Sequence, residues 1–312
     1  MFEIQRAPFG AYEMIRLQSA DGQSALQVVP GFGSCVAGLR LGGRDILDAY
    51  QTADEMNINR WAKNVFLFPF PNRLKNGQYR WEGQIYQFPI NDAPTNNALH
   101  GFGADKPMET VQSSAGPDKA ILVTAFRYGG ELEAYPFPFE LELTFILSPG
   151  GLTVEMKALN TGQQSLPFGM GWHPYFQLTE QVDDLYLQLP PCDMVGVDAE
   201  MIPTGKRYEY TTFTRSRRVG PEVLDNCFAL RQKQGQIRLL LRGQGQELEY
   251  WQEVGEGKFP FLQLFTPPHR SSLAIEPMSC NIDAFNNGEG LWKLMPGSIG
   301  LARFGINWKG GG

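Results

Sequence analysis

Glu140-Leu141-Glu142-Leu143-Thr144-Phe145-Ile146-Leu147, then Pro149-Gly150, then Leu152-Thr153-Val154-Glu155-Met156-Lys157-Ala158-Leu159 is the stretch that decides the fold. Apolar side chains recur at a period near two, the mark of strands with a buried face, and Pro149-Gly150 reads as the head of a hairpin. The same period recurs in Gln236-Ile237-Arg238-Leu239-Leu240-Leu241. Tyr79-Arg80-Trp81 and Gln84-Ile85-Tyr86-Gln87-Phe88 flank Glu82-Gly83 as a further hairpin. Helical signals are few: Asp45 to Met56 could hold a short helix, and little else sustains a 3.6 period. The 35 glycines and 22 prolines are spread along the chain rather than gathered in a linker. Many short strands with turn signals about every 8–12 residues predict an all-β fold, an antiparallel sandwich or barrel. No composition shift divides residues 1–312, so one domain is expected, with Lys309-Gly310-Gly311-Gly312 frayed.

A hydrophobic fraction of 42% over 312 residues supplies a sizeable core without disulfide or metal staples. The formal net charge is −6 and no basic run stands out, which argues against nucleic acid or an anionic membrane as partner. Cys35, Cys192, Cys227 and Cys280 lie far apart with no C-x-x-C, so a reduced state is the default. Met1-Phe2-Glu3-Ile4-Gln5-Arg6 does not resemble a signal peptide, and Val65-Phe66-Leu67-Phe68-Pro69-Phe70 is far too short to span a bilayer. A soluble, cytoplasmic protein is expected.

Several familiar chemistries find no motif. Gly31-Phe32-Gly33-Ser34-Cys35-Val36 starts like a dinucleotide fingerprint but lacks the third glycine and a following helix, so it reads as a turn entering a strand. There is no G-x-S-x-G, no H-E-x-x-H and no phosphate-cradling loop of the P-loop type. The three histidines lack metal-ligand spacing, and no metal is expected.

Four segments do carry chemistry. In Gly171-Trp172-His173-Pro174-Tyr175-Phe176 the proline holds the His173 backbone extended, and histidine titrates nearest neutrality. Asn72-Arg73-Leu74-Lys75-Asn76-Gly77 offers a guanidinium fork to paired oxygens. Asn97-Ala98-Leu99-His100-Gly101-Phe102-Gly103 sets His100 beside glycines that allow close approach of backbone and ligand. Leu273-Ala274-Ile275-Glu276-Pro277-Met278 places a carboxylate among apolar neighbours, where desolvation raises its pKa toward that of a general base. Each residue also has a plain structural reading: a hydrogen-bonded core histidine, a solvated arginine, a loop histidine, a strand-end glutamate paired with an arginine.

Together and in this order, the segments resemble the aldose 1-epimerase (galactose mutarotase) superfamily. The Asn72-Arg73 segment, the hairpin with Gly77 and Gly83, Phe88-Pro89-Ile90-Asn91, Asn97 to Gly101 and His173 to Phe176 look like family signatures. The resemblance spans roughly residues 30 to 305 and implies a large antiparallel β-sandwich with a sugar on an open concave face and no cofactor. It implies Glu276 as base and His173, as imidazolium, as acid in anomer interconversion. Arg73, His100 and Asn72 would contact the sugar, with Asp225 of Leu224-Asp225-Asn226-Cys227-Phe228 accepting its hydroxyls. Trp172, Tyr175, Phe176 and Phe70 are candidates for aromatic packing on the ring. The expected partner is a small-molecule sugar, held by a monomer or weak homodimer.

Pro277-Met278-Ser279-Cys280-Asn281-Ile282-Asp283-Ala284-Phe285-Asn286 departs from the Gln-, Pro- and Asp-rich loop of galactose-specific members and marks a divergent branch. Three rivals follow. A hexose-6-phosphate epimerase needs a cationic clamp, for which Arg215, Arg217 and Arg218, with Lys206-Arg207, form the obvious basic knot. A non-catalytic sugar-binding protein would keep the concave face alone. A glycoside hydrolase needs a second carboxylate beside Glu276, from Asp225 or Asp283.

Overall fold

The hairpin that opens the sequence reading is the longest in the chain: strands Phe139–Ser148 and Gly151–Asn160 pair from Phe139↔Asn160 to Ser148↔Gly151. Its turn is the Pro149-Gly150 pair, with Gly150 at φ 67, the left-handed conformation that glycine adopts without a Cβ penalty. Strict alternation buries Leu141, Leu143, Phe145 and Leu147 on one face and leaves Glu140, Glu142, Thr144 and Ile146 partly exposed. A computed structural model describes residues 1–310.

This hairpin lies inside a nine-stranded sheet. On one side of it stand Ala120–Tyr128 and then Glu109–Ala115; on the other follow Ile299–Gly310, Gln246–Val254, Gly235–Gly243, Tyr186–Gln188 and Arg217–Arg218. An eight-stranded sheet runs Pro203–Tyr210, Cys192–Val197, Asp225–Leu230, Phe261–Phe265, Leu273–Met278, Gly171–Trp172, Phe66–Leu67, with Tyr175–Phe176 also paired to Leu273–Met278. Neighbouring strands in both sheets run antiparallel. The expected all-β antiparallel sandwich is what the chain forms, with a further five-stranded sheet built from residues 2–45.

Aromatic rings lock the two large sheets together. Phe66 meets Phe145 edge to face at 5.6 Å, and Trp172 stacks on Phe304 at 5.3 Å. One continuous core cluster draws on residues from Phe2 to Ile306. The other face of the eight-stranded sheet lines a pocket. Along Phe261–Phe265, Leu262 and Leu264 point into that core, so Gln263 and Phe265 point away from it. Along Leu273–Met278, Leu273 and Ile275 enter the core and Glu276 faces out.

Local expectations meet two corrections. The hairpin at Glu82-Gly83 forms with Trp81 opposite Gln84, and both turn residues have positive φ, as a two-residue turn of primed type requires. Gly33 and Ser34 turn the chain into strand Cys35–Leu41 as read. The short helix, however, spans Ala53–Ile58 rather than starting near Asp45. Thr52 caps it by accepting from Glu55 N–H, while the upstream residues are claimed by sheet: Arg44–Asp45 pairs with Arg40–Leu41, and Asp48 N–H donates to Tyr175 O at 2.9 Å. Lys309 and Gly310, expected in a frayed tail, continue the last strand, and Gly311 and Gly312 lie outside the described residues. No helix among the described residues is long and apolar enough to cross a membrane.

Candidate active site

A pocket of about 660 Å³ opens on the outer face of the eight-stranded sheet, within the size range of small-molecule sites. All six residues singled out in the sequence, Asn72, Arg73, His100, His173, Asp225 and Glu276, line it. They arrive from five separate segments, so no local reading of spacing could have joined them.

His173 is fixed by its backbone on both sides: its N–H donates to Val65 O at 3.0 Å and its carbonyl accepts from Asn64 N–H at 2.9 Å. Asn64, fully buried, ties the segment together. Its Oδ1 accepts from Tyr175 N–H, its Nδ2 donates to Asp48 O, and its carbonyl accepts from Trp172 Nε1. The His173 ring lies flat against Tyr175, with centroids 5.0 Å apart and planes 15° from parallel. Its Nε2 stands 3.3 Å from Glu276 Oε1, and the two residues are 6% and 2% exposed.

Burial acts on this pair in opposite senses. It pushes Glu276 well above the ordinary carboxylate range, Asp225 adding to the shift and Arg73 opposing it. It pulls His173 down to about 3, against the imidazolium expected from the sequence. A pair sharing one proton keeps an acid and a base whichever member holds it. A protonated carboxyl beside a neutral imidazole is one donor and one acceptor, as a carboxylate beside an imidazolium would be.

Around the pair runs a hydrogen-bonded arc. Arg73 N–H donates to Asn72 Oδ1 at 2.9 Å, Asn72 Nδ2 donates to Gln263 Oε1 at 3.3 Å, and Gln263 Nε2 donates to Asp225 Oδ1 at 2.9 Å. Arg73 Nε donates to Asp92 Oδ2 at 2.8 Å, and its terminal nitrogens have no protein hydrogen bond among the described residues. The fork thus keeps two donors for a ligand. Burial raises Asp225, with Arg73 opposing. His100 sits at φ 66, its N–H donating to Asn72 O at 2.9 Å, and meets His173 edge to face at 5.4 Å. Burial, with the Arg73 charge adding, holds it well below the ordinary histidine value.

The aromatic candidates divide. Tyr175 lines the pocket, whereas Trp172, Phe176 and Phe70 are core residues packed on Phe304, Tyr250 and Phe88. The sequence reading missed Gln263, Phe265, Trp61 and Asp92. Gln263 carried a usable signal, being the one polar residue of Phe261-Leu262-Gln263-Leu264-Phe265. The basic knot does not reach the site: Arg217 pairs with Glu222, Arg218 with Asp184 and Arg207 with Glu289, and none of the five lines the pocket. Asp283 is likewise elsewhere, accepting from Lys75 N–H and Asn286 Nδ2. The segment after Glu276 is packed rather than draped over the pocket, with Ser279, Asn281 and Asp283 all buried. Among the described residues no group of three or more His, Cys, Asp or Glu could hold a metal ion.

Residues 14–301 match the family model for aldose 1-epimerase. The Escherichia coli (strain K12) protein YihR, itself uncharacterised, is 30% identical over 257 residues, 78% of each chain. A galactose mutarotase-like protein from Clostridium acetobutylicum superposes with a TM-score of 0.87 at 20% identity, covering 99% of this chain and 98% of that one. A galactose 1-epimerase from Lactobacillus acidophilus does so with a TM-score of 0.84 at 18% identity, covering 100% and 99%.

Proposed function

Because this chain belongs to the aldose 1-epimerase family, we propose that it interconverts the α and β anomers of an aldose by acid–base ring opening. One observation carries the proposal: Glu276 and His173 stand 3.3 Å apart, buried, in a pocket also lined by Asn72, Arg73, His100, Asp225 and Gln263. Mutarotation needs a base to take the proton of the anomeric O1 hydroxyl and an acid to protonate the ring oxygen. The C1–O5 bond then breaks, an aldehyde forms, the carbonyl turns its other face, and O5 adds back with the two groups exchanging roles.

Glu276 is the base and Arg73 favours its charged form, opposing burial. With the pair's proton on His173, the imidazolium delivers it to the ring oxygen, and stacking on Tyr175 keeps the ring in place. The terminal nitrogens of Arg73, His100 and the Asn72–Gln263–Asp225 arc orient the sugar hydroxyls. Holding substrate and catalytic pair in one geometry supplies the rest of the rate. The basic knot offers no clamp for a phosphorylated hexose, being ion-paired away from the pocket.

Polarimetry of freshly dissolved α-D-glucose and α-D-galactose tests the reading. Acceleration that disappears in His173→Ala supports it and ranks the sugars; no acceleration of either moves the reading to a phosphorylated or unusual sugar, or to a sugar-binding protein without this chemistry. Release of nitrophenol from a nitrophenyl glycoside would instead assign a hydrolase with Asp225 as the second carboxylate.

A further inference from the structure

An arginine that offers its terminal nitrogens to a ligand has to be held somewhere else. Its side chain is rich in rotamers, and ordering it at the moment of binding costs affinity. Arg73 is held at one point: its Nε donates to Asp92 Oδ2 at 2.8 Å. A planar fork gripped at Nε has its orientation set while its ends stay available to other acceptors. The two side chains are only 15% and 12% exposed, so water competes little for the contact. Asp92 does not line the pocket, and whatever it does for a bound sugar passes through Arg73.

Asp92 is itself steadied. It opens a loop that leads into strand Asn97–Leu99, and that strand pairs with Arg73–Lys75, Leu99 lying opposite Arg73. The loop closes on its own backbone: Asp92 N–H donates to Asn97 O at 3.0 Å, and Asn97 N–H donates to Asp92 O at 3.2 Å. Just before it, the Asn91 amide clamps Leu99 at both ends, accepting from its N–H at 2.7 Å and donating to its carbonyl at 3.0 Å. None of these bonds uses the Asp92 carboxylate. Its partners are Arg73 Nε and the Thr95 hydroxyl, which donates to the same oxygen at 2.5 Å. The Thr95 hydroxyl accepts in turn from Asn97 Nδ2 at 2.9 Å, which leaves its own proton for Asp92. A loop whose shape needs no carboxylate thus carries one, braced from behind and aimed at Arg73.

We propose that Asp92, braced by Thr95 and Asn97, is the positioning residue of Arg73, presetting the guanidinium so that its terminal nitrogens meet the sugar without reordering. Its kinetic consequence rests on the acid–base reading above, whereas the hold on Arg73 does not. The experiment therefore has two readouts. Heteronuclear NMR follows the Arg73 Nε–H signal, identified by its disappearance in Arg73→Ala, and measures its exchange with water at fixed pH. Polarimetry gives kcat and KM for whichever of D-glucose and D-galactose the wild type accelerates more. Asp92→Ala, Asp92→Asn and Thr95→Val are compared with wild type, and Asp92→Ala is repeated in the Arg73→Ala background.

Asp92→Ala should speed Nε–H exchange and raise KM, each by about 10-fold or more, with kcat changed less, as expected when one long side chain must be ordered at binding. Asp92→Asn keeps an acceptor for Nε and should stay within about 3-fold of wild type in both readouts. Once Arg73 is gone, removing Asp92 should change KM no further. Exchange or KM unmoved by Asp92→Ala, Asp92→Asn as damaging as Asp92→Ala, or an equal rise in KM without Arg73 overturns the positioning role. Should Asp92→Ala fail to fold, Thr95→Val decides: both readouts rising by about 3-fold uphold the brace, and neither rising overturns it. Wild type that accelerates neither sugar removes the acid–base reading alone. The hold on Arg73 is then settled by the Nε–H signal, faster exchange in Asp92→Ala upholding it and unchanged exchange overturning it.

Discussion

Glu276 and His173 are each held away from the charge they would carry in water, and that has separate consequences for rate and for stability. Glu276→Gln should lower turnover by at least about 10²-fold, the contribution of a general base, with sugar binding still measurable by calorimetry. It should also melt higher at neutral pH. The folded chain holds the Glu276 proton more tightly than the unfolded chain, so that stability is full below the ordinary value of 4.5 and lost as pH rises through the folded value. An amide of the same shape escapes this loss. Less activity with more stability is the expected pairing, and a lower melting temperature would count against the raised carboxyl.

The pH profile belongs to the pair. The pair holds one proton between the lowered His173 value, about 3, and the raised Glu276 value. We therefore expect kcat/KM to stay level through pH 6.5, the ordinary histidine value, and to fall on the alkaline side as the last proton leaves. An acid limb near 6.5 in the polarimetric profile would show that burial does not hold His173 neutral.

At the scale of strands, Gln263 is the test. It lies opposite Glu276 in the ladder between Phe261–Phe265 and Leu273–Met278, and bridges Asn72 to Asp225. Gln263→Leu leaves both partners short of a hydrogen bond, worth about 1–3 kcal/mol when buried. We expect KM for the sugar to rise by about 10-fold or more with kcat changed less; an unchanged KM would make the arc a packing feature only.

The sequence disclosed this level unevenly. Hairpins at Pro149-Gly150 and Glu82-Gly83 were legible because a hairpin is local: turn residues and alternation occupy one window. The side-by-side placing of Phe261–Phe265, Leu273–Met278, Gly171–Trp172 and Phe66–Leu67 was not, since contacts across that span leave no periodic trace. His173 and Glu276 could be named from their neighbours and the family resemblance. Their 3.3 Å approach could not. Trp61 was hidden for a different reason, because its place depends on four left-handed residues that no propensity favours. Which of the aromatic candidates faces the pocket was not legible, because adjacent strand residues face opposite ways, and the turn that offers His173 to the pocket sends Trp172 to the core.

For the whole molecule, burial of His100, held well below the ordinary 6.5, sets an acid limit. The lowered His173 and the raised Glu276 oppose one another in proton count, so His100 is what remains: as pH falls below about 6.5 the unfolded chain takes up a proton that folded His100 refuses, and stability falls by up to about 1.4 kcal/mol per pH unit. Denaturant titrations at pH 7 and pH 5 should show this loss, and His100→Asn should reduce it. An equal loss in that variant would place the acid sensitivity elsewhere. The sandwich itself depends on ring contacts between its sheets. Phe145→Ala, removing the edge-to-face partner of Phe66, should cost about 3–5 kcal/mol, read as a lower denaturation midpoint with kcat/KM of the folded fraction unchanged.

The alternation along Leu273–Met278, with Ile275 inward and Glu276 outward, has a last consequence. A slip of one residue in that ladder would drive a carboxylate into hydrocarbon and turn an isoleucine toward the sugar. Misassembly and loss of the base are thus a single event, and no half-correct species can be both compact and slightly active. Turnover per molecule should serve as a faithful counter of correctly assembled chains: during refolding, recovered activity and recovered near-ultraviolet dichroism should rise on one curve.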